Sequence, residues 1–213
     1  KSGLIEELLN TESNEVTLIT RPRRFGKTLG MSMLASFFDI RRDSSELFRG
    51  LKISQKEELC QKWMNQYPVL FVTFKDVDGL DFQSAKEMLR IQIADRCNEY
   101  LCLISSEKVN ENDKAIFRQL ADVVKGDVSD AMLKTGIALI MRMLQDYYEK
   151  PVILLLDEYD VPLAKASAHG YYTEMLEVMR AMISTALKDN PSLRFAVVTG
   201  CLRISRESIF TGT

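Results

Sequence analysis

A chain of 213 residues suits one large domain or two small ones, and 46% hydrophobic with 27% charged residues is the composition of a folded domain, not of a disordered one. Lys and Arg number 28 against 30 Asp and Glu, which weighs against a uniformly basic polyanion binder but leaves room for a local basic patch. The one histidine, His169, excludes any mechanism or zinc site that needs two.

The chain starts at Lys1, without a methionine, as expected of a piece of a longer protein. Its opening, KSGLIEELLN, lacks the basic and apolar run of a signal peptide. No apolar stretch approaches the ~20 residues that span a bilayer, so the expectation is a cytoplasmic protein without membrane contact. The run Val16–Thr20 (VTLIT) reads as a strand that ends at Arg21-Pro22. After Gly26-Lys27-Thr28, the apolar residues Leu29, Met31, Met33, Leu34, Phe37 and Phe38 fall at helical spacing. Strand, tight loop and helix therefore follow one another.

Val69–Phe74 (VLFVTF) reads as a second buried strand. Helices are expected near Phe82–Ile104, Asp113–Val124 and Asp130–Tyr148, with Ser129 capping the third. Val152–Leu156 (VILLL) is the fully apolar run of a central parallel strand. Tyr172–Leu187 is an amphipathic helix ended by Asn190-Pro191, and its methionines read as core fill. Phe195–Thr199 (FAVVT) is a fourth strand. Strands alternating with helices predict an α/β fold of three layers around a mainly parallel sheet. Val16–Thr20 should lie beside Phe195–Thr199, with Val152–Leu156 next.

Four cysteines, Cys60, Cys97, Cys102 and Cys201, form no C-x-x-C pair. They lie in apolar or helical stretches and read as buried, reduced thiols.

Three segments carry chemistry. In Arg21-Pro22-Arg23-Arg24-Phe25-Gly26-Lys27-Thr28, the second half matches the phosphate-loop pattern G-x-x-x-x-G-K-[ST], with Arg21 at the first glycine. Gly26 lets backbone approach phosphate oxygens, and amides of the following helix N-terminus point at the anion. Lys27 brings positive charge to the β and γ phosphates, and Thr28 offers a hydroxyl to Mg²⁺. A bare G-K-[ST] arises by chance in about one chain in ten of this length, so the flanking strand and helix give the match its weight. The second segment, VILLLDE, ends a buried strand on Asp157 and Glu158, where open α/β sheets bind ligands. Asp157 would hold Mg²⁺ and Glu158 would polarise the attacking water, or the pair is an acidic helix start. The third is Thr199-Gly200, followed by Arg203 and Arg206. Thr199 can contact the γ phosphate or the water. Arg203 is either an arginine finger, in this subunit or a neighbour, or a surface residue.

Arg21, Arg23 and Arg24 would line the phosphate loop, pair with acids across the sheet, or contact nucleic acid. Asp160 reads as a helix cap and His169 as a solvated loop residue.

Taken together, RPRRFGKT, LLLDEYDVPL and FAVVTGCLRISRESIF resemble the bacterial and archaeal AAA-ATPase-like proteins of the P-loop superfamily. KSGLIEELL and YPVLFVTFKDV are similar to that family as well, so the resemblance covers nearly the whole chain. It implies an AAA/ASCE-like P-loop NTPase domain over 1–213, with a helical insertion at about 81–150 between the two nucleotide motifs. An arginine-proline phosphate loop is the family's usual form. The resemblance also implies a fifth strand and a helical lid beyond Thr213, and then a region similar to restriction-endonuclease-like nucleases.

The expected activity is Mg²⁺-dependent ATP binding and hydrolysis, with ATP rather than GTP implied by the resemblance alone. The expected binding segment comprises Arg23, Arg24, Phe25, Gly26, Lys27, Thr28 and Leu29. Thr28 and Asp157 would hold Mg²⁺, while Glu158, Thr199 and Arg203 would act in catalysis. Two other readings stand beside it: a nucleotide-binding switch or scaffold with little turnover, and a DNA-binding regulatory domain. Nucleic acid, reached through the C-terminal region, and a second copy of the chain are the expected partners besides nucleotide.

Overall fold

The computed structural model describes residues 2–10, 15–20, 22, 26–124 and 128–201. Four strands, β1 (Val16–Thr20), β2 (Val69–Thr73), β3 (Val152–Asp157) and β4 (Leu193–Gly200), form one sheet. Their order is β1-β4-β3-β2 and every neighbouring pair is parallel. The predicted sequence β1, β4, β3 across the sheet is the observed one, and β2 completes the far edge. In β3 every residue from Val152 to Leu156 is fully buried, because helices cover both sides of this central strand.

Side chains alternate between the two faces. Val152, Leu154, Leu156, Leu70, Val72, Ala196 and Val198 enter one core. That core is closed by α5 (Phe82–Glu99), α6 (Glu111–Ala121), α7 (Asp130–Tyr148), α8 (Val161–His169) and α9 (Tyr172–Leu187). Val69, Ile153, Leu155 and Val197 turn the other way. They meet α1 (Gly3–Asn10), α2 (Lys27–Phe38), α3 (Ser45–Phe48) and α4 (Glu57–Trp63). The result is three layers with two apolar cores. The helices expected as an insertion at about 81–150 are thus part of one layer: α5 packs on β2 and α7 on β3. Met175, Met179 and Met182 are fully buried, as core fill should be.

Caps set the helix boundaries. Asp81 accepts from the Ser84 amide at 2.8 Å, Asn110 from Asn112 at 2.8 Å, and Ser129 from Met132 at 3.3 Å. The expected helix to Ile104 ends instead at Glu99. Buried Tyr100 leaves the helix to donate its hydroxyl to the Val69 carbonyl at 2.6 Å, and Leu101–Ser105 winds into a 3₁₀ turn. The region around His169 is not a loop: His169 closes α8, exposed, with its ring parallel to that of Tyr171. The thiols are unpaired, but only Cys97 is buried; Cys60 and Cys201 are half-buried and Cys102 is exposed. Burial pushes the Cys97 thiol up to about 12. Among the described residues, no helix is long and apolar enough to cross a membrane.

Candidate functional site

The carboxyl ends of β1, β3 and β4 lie along one edge of the sheet, and the loops leaving them carry the predicted chemistry. Gly26 occupies the N-cap position of α2 with φ 73° and ψ 29°. A side chain in that left-handed conformation costs about 1–2 kcal/mol, which explains glycine there. The Gly30 amide closes the first turn on the Gly26 carbonyl at 3.0 Å. Among the described residues no side chain caps α2 and no acid stands in its first turn, an arrangement that suits an anion at the helix start. Lys27 is half-buried, while Thr28 and Leu29 are exposed. Lys27 Nζ donates to Cys201 Sγ at 2.9 Å and to the Pro22 carbonyl at 3.4 Å.

Asp157 and Thr199 are both 1% exposed at the ends of β3 and β4. Residues of their parity in the two strands face the α2 side of the sheet. The Thr199 hydroxyl donates a hydrogen bond to the Asp157 carboxylate. Two further contacts tie the same loops together. The Tyr159 amide donates to the Thr199 carbonyl at 3.2 Å, and the Cys201 amide to Asp160 Oδ2 at 2.9 Å. Between them Glu158, half-buried, holds φ 57°, a left-handed conformation uncommon outside glycine. Backbone of this kind persists where its surroundings over-determine it, and it concentrates at functional sites.

Gly200 completes the junction. A Cβ added there would lie 2.6 Å from the Tyr159 ring and 2.8 Å from Asp160 Oδ1, so β4 and the loop after β3 can approach this closely only at glycine.

The three sequence segments therefore converge through a chain of contacts: Lys27 to Cys201, Cys201 to Asp160, and Thr199 to Asp157. Asp160 sits at the N-cap position of α8, but its side chain does not cap that helix. It serves the β4 exit instead, a correction to the expected role. Arg21, Arg23, Arg24, Phe25, Arg203 and Arg206 lie outside the described residues. Sequence reasoning missed Cys201, read as an inert thiol, and Thr73, whose register partner is Asp157. A polar residue inside the apolar VLFVTF run was the available signal for Thr73; nothing local marks Cys201.

The donors here suit a hard cation. Asp157 and Thr28 offer only oxygen, the ligand Mg²⁺ requires. Among the described residues no group of three or more His, Cys, Asp or Glu converges to form a cage. A cation bound here would complete its shell from phosphate and water, as Mg²⁺ commonly does.

An all-parallel sheet between helical layers, with an open helix N-terminus and a buried Asp–Thr pair at the strands' carboxyl edge, is consistent with an AAA-like α/β fold. The chain belongs to the AAA-ATPase-like family, described as "Predicted AAA-ATPase", whose match runs over residues 1–210. It is 26% identical over 218 residues to the uncharacterized protein in the vnfD 5′ region of Azotobacter chroococcum mcd 1. That alignment covers 100% of this chain and 35% of the relative, so the chain spans about a third of that protein's length. No solved structure matches it.

Proposed function

We propose that this chain binds ATP with Mg²⁺ and hydrolyses it at the carboxyl edge of the sheet. One observation carries the reading: the glycine-lysine start of α2 and the Asp157–Glu158 strand end share that edge, with Thr199 between them on β4. The α2 amides from Gly26 to Thr28 and the Lys27 ammonium receive the β and γ phosphates. Arg23, Arg24, Phe25 and Leu29 complete the loop around the nucleotide. Lys27 must swing from Cys201 to reach phosphate, a rotamer change open to a half-buried lysine.

Thr28 and Asp157 hold Mg²⁺, which when bound neutralises charge on the phosphate oxygens. Thr199 orients the Asp157 carboxylate by its hydrogen bond and stands beside the γ phosphate. Glu158 accepts the proton of the attacking water. Its left-handed backbone turns it out of the strand's alternation at the point where the sheet ends. Arg203 supplies positive charge to the transition state from this chain or a neighbouring copy.

Phosphate release by Glu158→Gln separates an ATPase from a switch. Loss of the base should slow turnover by about 10²–10⁴-fold while nucleotide affinity is kept. Turnover that is slow in the parent protein and unchanged in Glu158→Gln would favour the switch.

A further inference from the structure

The opposite edge of the sheet carries a second charged feature, unconnected with the nucleotide motifs. Trp63, the last residue of α4, stacks on Tyr67 with ring centroids 5.0 Å apart and planes 29° from parallel. Three cations gather on this pair. Arg194 Cζ lies 4.9 Å from the Trp63 centroid, Lys62 Nζ lies 5.6 Å from it, and Lys150 Nζ lies 5.8 Å from the Tyr67 centroid.

The three arrive from separate elements. Lys62 lies in the last turn of α4 and Lys150 precedes β3. Arg194 is placed by a β-bulge: Val152 pairs with Leu193 and Ile153 with Phe195, leaving Arg194 as the extra residue of β4. A bulge re-aims a side chain, and this one lays a guanidinium over Trp63.

None of the three cations has a carboxylate within 4.0 Å among the described residues; Lys150 donates to Gln66 at its carbonyl and side-chain oxygens. By contrast Arg41 lies 2.8 Å from Asp39, and Arg142 2.7 Å from Asp113. Cation–π contact offsets part of the mutual repulsion of the three and fixes their positions, and among the described residues neither Lys62 nor Arg194 donates a hydrogen bond to another side chain. Arg194 and Lys62 are exposed.

We propose that Lys62, Lys150 and Arg194 form a binding surface for the phosphate backbone of a nucleic acid. Charge complementarity selects a polyanion. Trp63 is only 6% exposed beneath the cations, so bases cannot stack on it, and recognition goes to the backbone rather than to sequence. A membrane surface is disfavoured because such sites join cations to exposed apolar side chains. The large exposed hydrophobics among the described residues, such as Leu47, Leu80 and Val124, belong to other segments. β3 separates this edge from Asp157 by its own length, about 15–20 Å at 3.3 Å per residue. Nucleotide and nucleic acid would therefore bind without competing.

The test is fluorescence anisotropy with a labelled 20-base-pair duplex across a salt series, with the parent protein and Lys62→Gln/Lys150→Gln/Arg194→Gln. The parent should bind at low salt, and log affinity should fall linearly with log salt. The triple variant should bind at least tenfold more weakly, with a slope shallower by about 2–3, since each lost phosphate contact removes about 0.9. Lys62→Glu, at an exposed position, should weaken binding if the triple variant is unstable. Lys27→Ala, or added ATP, should leave duplex binding unchanged. No duplex binding at low salt would overturn the proposal. So would a variant slope equal to the parent's, or tighter binding to anionic vesicles or to polyglutamate than to the duplex.

Discussion

Thr199 donates a hydrogen bond to Asp157 across β4 and β3, and both residues are buried. This contact joins the polar tips of two strands that are far apart in sequence. It also supplies a donor for a carboxylate that water scarcely reaches.

Thr199→Val keeps the shape and removes the donor. Leaving a buried carboxylate short of one hydrogen bond costs about 1–3 kcal/mol. The urea midpoint should therefore fall by that equivalent, and ATP turnover should fall further than nucleotide affinity. A variant as stable and as active as the parent would show that the contact carries neither role.

Gly26→Ala puts a side chain at φ 73° and should lower stability by about 1–2 kcal/mol. If the proposed function holds, nucleotide affinity should fall as well, because a side chain at Gly26 would crowd the start of α2. Thermal melts with and without nucleotide separate the two effects: the stabilisation by nucleotide expected of the parent should shrink in the variant.

The cysteines give a footprint of the site. Exposed Cys102 should react at once with a thiol reagent. Cys97, buried and with its thiol held up at about 12, should react only after unfolding. Cys201, in contact with Lys27, should react at a rate that changes when ATP draws Lys27 away. Peptide mapping after timed alkylation reads all three at once. A Cys201 rate indifferent to saturating nucleotide would contradict its place beside the phosphate loop.

Acid stability should depend on Asp81. The Ser84 amide, hydrogen-bonded to this α5 cap, holds its carboxyl below the ordinary 3.8. A depressed folded value stabilises the protein above the unfolded value, and that contribution disappears as pH falls through the folded one. Asp81→Asn keeps a neutral cap. Its urea midpoint should lie below that of the parent at pH 6, and the gap should close below about pH 4.

The sheet was legible because its strands are short, apolar and β-branched. VILLL, lacking any polar alternation, already required cover on both faces. Ser129 announced α7 by its cap. Less was readable where apolar residues continue beyond a helix, as at Tyr100 to Ile104, since the departure of Tyr100 depends on the distant Val69 carbonyl. The short helices from Ser45 to Trp63 bury single residues such as Phe48 and Trp63, too few to make a period. At the site, Lys27, Asp157 and Thr199 were visible as residue types in position. Strand register sets Thr73 beside Asp157, and hydrogen bonds rather than any local pattern bring Asp160 and Cys201 to Lys27. Arg194 stands out by a bulge that no local pattern marks.

The proposed nucleotide site stands or falls with Lys27 at a phosphate-binding helix start. Isothermal titration calorimetry with ATP and Mg²⁺ on the parent and on Lys27→Ala tests it most directly. The parent should bind saturably and the variant at least tenfold more weakly, with the fold intact by circular dichroism. Equal affinity in the two proteins would contradict it.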